Sequence, residues 1–243
     1  MCSIAVITTC FGRWHHLLKS WQNWKQLSGA EIEFVIVAAG PDDAPIKITQ
    51  DEYFDGVLVR VRNCDYYRPS YLRNVGAKVS RSDYLAFVDA DILLDSRWAA
   101  FCVSELVSNA DLIVHSSTYN NKDAGGVSGT LAISRWLFEK VNGYSENLDG
   151  RWGYEDTDLI IRAQRAGGRV SSYPAHFAAV GTQHSDEDRI SNFKYNDAPK
   201  IPTTYLKQMK VADDDKAIHL FEANRIKRLD FTKSVITLID HRG

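Results

Sequence analysis

The 243-residue chain has no excess of charge of one sign: 29 Lys and Arg stand against 31 Asp and Glu, a formal net charge of -2. With no net field to draw it to nucleic acid or to an anionic membrane, an anionic ligand has to be held by local groups. Cysteine is scarce as well. Cys2, Cys10, Cys64 and Cys102 show neither Cys-x-x-Cys spacing nor the density of a disulfide scaffold, which fits reduced thiols in a cytoplasmic protein. No apolar run approaches the roughly eighteen residues of a membrane span, and the opening Met1-Cys2-Ser3-Ile4-Ala5-Val6-Ile7 has neither a basic leader nor a small-residue cleavage site. The sequence therefore predicts no transmembrane segment and no signal peptide. Internal repeats and low-complexity segments are also missing.

The 44% hydrophobic and 25% charged residues are those of an ordinary globular domain long enough to bury a core. Ile4 to Thr9, Glu33 to Ala38, Tyr84 to Val88 and the neighbourhood of Leu112 to Val114 read as strands, with Gly56 to Val61 a more exposed candidate. Arg13 to Gln26, Ser70 to Ser80 with a serine cap, Trp98 to Ser108, and Arg135 to Val141 capped by Ser134 read as helices. A further helix begins at Glu155-Asp156 and stops at Gly167-Gly168. Such alternation predicts an α/β fold with a mostly parallel central sheet flanked by helices, in which ligands lie beyond the carboxyl ends of the strands. Residues 1–195 form the expected domain. Residues 196–243, where Asp213-Asp214-Asp215 suits a helix start and Ser234 to Ile239 is an apolar finish, are expected to be a helical extension packed on it. The Lys and Arg interleaved there with Leu, Ile and Phe leave peripheral contact with a membrane surface open.

The strand Tyr84 to Val88 delivers Asp89-Ala90-Asp91 to its carboxyl end. Two carboxylates so spaced reach a hard cation and leave its other positions to water and diphosphate oxygens; a solvated turn is the plain alternative. His184, in a glycine-containing loop, is chemically suited to be a third ligand. Glu155-Asp156 has two readings as well, helix capping or a proton acceptor within reach of a hydroxyl. Trp152 and Tyr154 beside it offer aromatic faces to a sugar. Arg73-Asn74 on a helix, and Thr8, Thr9 and Arg13 after the first strand, are placed to meet a nucleotide.

In this order the pieces resemble the nucleotide-sugar glycosyltransferases of the GT-A fold, over about the first 195 residues. Ile4 to Arg13, Tyr71-Leu72-Arg73-Asn74-Val75-Gly76-Ala77 and Tyr84 to Asp91 are similar to family 2 enzymes. Gly125-Gly126-Val127-Ser128, Val141-Asn142-Gly143-Tyr144 and Trp152-Gly153-Tyr154-Glu155-Asp156-Thr157-Asp158 resemble the beta-1,4-galactosyltransferase type. The resemblance implies an inverting enzyme that uses Mn²⁺ or Mg²⁺ and a UDP-sugar donor and acts on a saccharide or glycoconjugate acceptor. By position it gives Asp156 the role of base, Asp91, Asp89 and His184 the metal, Thr8, Thr9, Arg13, Arg73, Asn74 and Asp89 the donor, and Trp152, Tyr154 and Glu155 the acceptor. Tyr154 departs from the family pattern, standing where a second glycine is common. Gly181 stands where some members supply a methionine to the metal, and Ala39-Gly40 where many family 2 enzymes carry an acid for uracil. An aspartate-dependent phosphohydrolase and a noncatalytic nucleotide-sugar-binding module are the competing classes.

Overall fold

The computed structural model of the chain describes residues 3–40, 46–62, 64–115, 129–150, 152–174, 177, 179–182 and 191–194, and the backbone of 235–239. Gly125 to Ser128, His184 and the Asp213 to Asp215 run lie outside the described residues.

Strands β1 (Ser3–Phe11), β2 (Glu31–Ala39), β3 (Gly56–Arg62) and β4 (Tyr84–Phe87) lie side by side in the order β3-β2-β1-β4, all parallel. Two short strands, β5 (Ile92–Leu93) and β9 (Val180–Gly181), form a separate antiparallel pair. The main sheet is continued on one side by β7 (Leu131–Ser134), β6 (Leu112–His115) and β8 (Arg169–Ser172), and on the other by β10 (Val235–Ile239). Only β7 runs against its neighbours. The expected mixed fold with a mostly parallel sheet is what forms.

Both faces of the sheet are covered because its central strands are apolar on both sides. Ile4 and Val6 of β1 and Phe34 and Ile36 of β2 pack with α1 (Trp14–Trp24), α2 (Ile46–Thr49) and α4 (Trp98–Ser108). Ala5, Ile7, Val35 and Val37 point the other way, towards α3 (Pro69–Val79), α5 (Arg135–Lys140) and α6 (Glu155–Arg165). Among the described residues no helix is long and apolar enough to cross a membrane.

From β1 the chain continues through α1 to β2 on one side, and from β4 it continues through α4 to β6 on the other, so the strand order reverses between β1 and β4. Folds of this kind bind ligands in the crevice at that switch point. α3 lies close against β1 there: a Cβ on Gly76 would come within 2.4 Å of the Ile7 side chain.

Three local expectations are corrected. Ser70 does not cap α3; Pro69, with its fixed φ and missing N–H, starts the helix one residue earlier, and Ser70 is inside it. The cap comes from Asp149, whose carboxylate accepts the N–H groups of Ser70 (2.9 Å) and Tyr71 (3.1 Å). β3 is buried rather than exposed, since β10 pairs along its outer edge from Val235↔Leu58 to Ile239↔Arg62. The apolar finish of the C-terminal extension is thus a strand of the sheet, not a stretch of helix, and 196–234 lie outside the described residues.

Candidate active site

At the crevice, the turn after β1, the Asp89–Asp91 segment after β4, residues 152–157 at the start of α6, and Asn192-Phe193 surround a cavity of about 520 Å³. Thr9, Arg13, Arg73, Asp89, Asp91, Trp152, Tyr154, Glu155 and Asp156 all line it, so residues from opposite ends of the sequence share one space. Thr8 and Asn74 do not. Thr8 is buried behind the wall, its hydroxyl without a partner among the described residues. Asn74 bonds instead to the backbone of Tyr144 and to Glu146.

Both aspartates of the Asp-Ala-Asp segment are held by arginines. Arg13 Nη2 donates to Asp91 at 2.9 Å and Arg73 Nη2 to Asp89 at 2.6 Å. The Asp91 backbone carbonyl accepts the Thr182 N–H at 2.7 Å, which ties the β9 segment to the turn after β4. Gly129, just before β7, stands against Asp89, and a Cβ there would lie 2.5 Å from a carboxylate oxygen.

Arg73 is the hub. Its Nη1 donates to Glu155 (2.9 Å) and to Asp156 (3.1 Å), and its guanidinium lies over the Tyr144 ring, 5.1 Å from the centroid. The Tyr144 hydroxyl donates to Asp156 at 3.2 Å. Both bonds to Asp156 fall on Oδ1, and Oδ2 accepts none from the described residues.

The charged groups lining the cavity are four carboxylates, Asp89, Asp91, Glu155 and Asp156, against two guanidiniums. Fully ionised, the acids would outnumber the guanidiniums by two negative charges. Burial pushes the Asp156 carboxyl well above the usual range; Arg73 pulls it down, and Glu155 and Asp89 push it up further. Burial works against the charge on Arg73, but the surrounding acids outweigh it and hold the guanidinium protonated.

A divalent cation would balance that excess. Asp89 and Asp91 are hard oxygen donors suited to Mn²⁺ or Mg²⁺. Among the described residues no three His, Cys, Asp or Glu side chains form a ready-made ligand set, so remaining positions would fall to solvent, to a diphosphate, or to groups outside those residues, such as His184.

Sequence reasoning missed Tyr67, whose hydroxyl bonds Thr9 at 2.6 Å, and the lining pair Asn192-Phe193; no motif announced them. Tyr144 was part of a recognised stretch, but its bond to Asp156 was not foreseen. The departure at Tyr154 has a backbone signature. Gly153 (φ 91) and Tyr154 (φ 75) are both left-handed, a conformation that favours glycine at each position.

Residues 110–185 match a family model described as the N-terminal domain of galactosyltransferase. Over 97 residues the chain is 33% identical to human beta-1,4-galactosyltransferase 4, a stretch that is 38% of this chain and 28% of that protein. A Pyrobaculum calidifontis mannosyltransferase solved with GDP-Man and Mn²⁺ superposes with a TM-score of 0.59 at 16% identity, covering 70% of this chain and 54% of that one. A Drosophila beta-1,4-galactosyltransferase 7 mutant, in complex with manganese, UDP-Gal and xylobiose, gives 0.53 at 18% identity, covering 86% and 80%. TarS of S. aureus gives 0.60 at 17% identity, covering 78% and 38%. The chain thus spans just over half the length of the mannosyltransferase and little more than a quarter of the human relative. The chain has the GT-A glycosyltransferase fold, and its residues 110–185 are similar to the N-terminal domain of galactosyltransferase.

Proposed function

We propose that this chain is a metal-dependent inverting glycosyltransferase that moves a hexose or N-acetylhexosamine from a UDP-sugar to a hydroxyl of a saccharide or glycoconjugate acceptor. The observation that carries the reading is the meeting of Asp89 and Asp91 with Glu155 and Asp156 around one cavity, from segments more than sixty residues apart in the sequence. A divalent cation held by Asp89 and Asp91 supplies charge neutralisation to a diphosphate leaving group. Arg13, at the start of α1 and 23% exposed in its side chain, is a cation placed to meet the diphosphate. Asp156, with Oδ2 open, takes the proton of the acceptor hydroxyl, and its raised proton affinity suits a base. Trp152 and Tyr154 give the sugar an apolar wall. A single displacement from the side opposite the leaving group inverts the anomeric centre.

The neighbours differ in nucleotide, UDP-Gal in one and GDP-Man in another; the galactosyltransferase-type segment favours UDP. Cys10, Cys64 and Cys102 are buried and in no disulfide among the described residues, which supports a cytoplasmic setting, and polysaccharide or glycoconjugate synthesis is the corresponding role. The deciding experiment incubates the protein with a panel of UDP-sugars, Mn²⁺ and simple saccharide acceptors. Release of UDP matched by glycosylated product is expected; free phosphate would point to a phosphohydrolase, and binding without turnover to a binding module. Asp156→Asn should abolish transfer and keep donor binding. Transfer retained with donor binding lost would overturn the assignment of the base.

A further inference from the structure

Arg73 lines the cavity, but its terminal nitrogens are turned to the acids of the site rather than to solvent. Its side chain is 4% exposed, and both terminal nitrogens are committed to carboxylates. One carboxylate would suffice to neutralise it. Three, two of them largely buried and Asp89 a third exposed, leave more acid than one guanidinium can neutralise, and a further cation would relieve it. The three partners also belong to two different ends of the site: Asp89 comes from the carboxyl end of β4, while Glu155 and Asp156 come from the first turn of α6.

We propose that Arg73 is a positioning residue that links the two ends of the site, its single guanidinium holding Asp89 and Asp156 at once, so that a divalent cation arriving at Asp89 alters the hold on the base. This rests on the reading of Asp89 as a cation ligand and Asp156 as the base. Guanidinium and cation are both positive and compete for the same carboxylate. When the cation takes Asp89, the arginine's attraction is concentrated on Asp156 and Glu155. The base is thereby seated and favoured in its ionised form when the donor side is filled. Among the described residues the groups that bear on Asp156 are Arg73 from α3, Asp89 after β4, Tyr144 from the segment after α5, and Glu155 beside it. Among the described residues Arg73 is the one basic group that bears on it, and so the one that can carry the link.

Linkage makes the effect reciprocal, and that gives it a readout apart from activity. Removing the positive charge that competes for Asp89 should tighten Mn²⁺ binding, whereas removing a donor contact should weaken nucleotide binding. The test compares the full chain with Arg73→Met and Arg73→Lys, each first checked for native circular dichroism and cooperative unfolding. Mn²⁺ affinity is measured without nucleotide, by the paramagnetic resonance signal of free Mn²⁺, and UDP affinity and transfer kinetics are measured in parallel. In Arg73→Met we expect Mn²⁺ to bind several-fold more tightly, the donor KM to stay near that of the native chain, and kcat to fall about 100-fold or more, the size of loss that follows from a misplaced reacting group. In Arg73→Lys, where the charge remains but one ammonium cannot span both ends, Mn²⁺ affinity should return towards the native value while kcat stays low. Unchanged or weaker Mn²⁺ binding in a folded Arg73→Met overturns the proposal, as does a raised donor KM with kcat retained. If Arg73→Met does not fold, native kcat in Arg73→Lys overturns it. Should the native chain transfer no sugar at all, the functional reading fails, and the Mn²⁺ comparison still decides whether Arg73 competes for Asp89.

Discussion

Asn74 and Tyr144 clasp each other: the Tyr144 N–H donates to Asn74 Oδ1 at 2.8 Å, and the Asn74 amide donates to the Tyr144 carbonyl at 2.9 Å. The same amide also reaches Glu146 at 3.0 Å. Next in sequence to the hub arginine, this clasp fixes the segment whose tyrosine hydroxyl bonds Asp156 to the helix that carries Arg73. Asn74→Ala removes three buried hydrogen bonds and strands two backbone groups. A loss of about 2–4 kcal/mol is expected, read from urea unfolding. A loss below about 0.5 kcal/mol would mean that the clasp is replaced at little cost.

Gly129 allows a prediction that separates function from stability. A methyl there would meet the Asp89 carboxylate at 2.5 Å, whereas the rest of the residue belongs to the approach to β7. The mobile partner in that clash is the end of a side chain, so the carboxylate gives way rather than the sheet. Gly129→Ala should weaken Mn²⁺ binding and transfer by about tenfold or more, while the unfolding midpoint changes little. Native Mn²⁺ affinity in the variant would show that Asp89 does not need its present position to hold the cation.

The parts legible in the sequence were those set by periodicity and by strand ends. The apolar run Tyr84 to Val88 read most plainly as a buried strand, and an α/β alternation puts whatever follows such a strand at the crevice, which is how Asp89 and Asp91 were found. The first turn of α6 was equally plain, because three acids of Glu155 to Asp158 precede a helical pattern closed by Gly167 (φ 95). What could not be read was contact across the chain. Asp149 caps a helix 79 residues earlier, and Arg73 turns inward to three acids although its spacing suited an exposed position facing the donor equally well. Strand β10 was missed for the same reason: its partner β3 lies more than 170 residues earlier, and nothing local to Val235 to Ile239 names it.

Asp149 makes stability depend on pH in an unusual direction. Burial pushes its carboxyl from 3.8 up to about 7, against the pull of Arg68 and of the Ser70 and Tyr71 amides, with Glu146 adding to the rise. The folded state therefore binds this proton below about pH 7, and the unfolded chain only below about 4. Its contribution is fully present below pH 4 and is lost as the pH rises through 7, by at most about 4 kcal/mol. Urea unfolding from pH 5 to 8 should show this decline in the native chain and a flatter curve in Asp149→Asn, which keeps one acceptor for the helix amides. Parallel curves would assign the slope to other groups.

Trp152 lies on the rim of the cavity at 36% exposure, ahead of two left-handed residues, Gly153 and Tyr154, that aim the start of α6 at the site. An indole exposed in this way offers a flat apolar face that the hydroxyl-poor side of a sugar can cover. Since little of the fold rests on it, Trp152→Ala should unfold within about 0.5 kcal/mol of the native chain. Donor binding should be unaffected, because Arg13, Asp89 and Asp91 meet the cavity from other elements. The acceptor KM should rise about tenfold or more, the cost of roughly 1.4 kcal/mol of lost contact, and Trp152→Phe should recover part of it. An unchanged acceptor KM beside a raised donor KM would move this aromatic wall from the acceptor to the donor sugar.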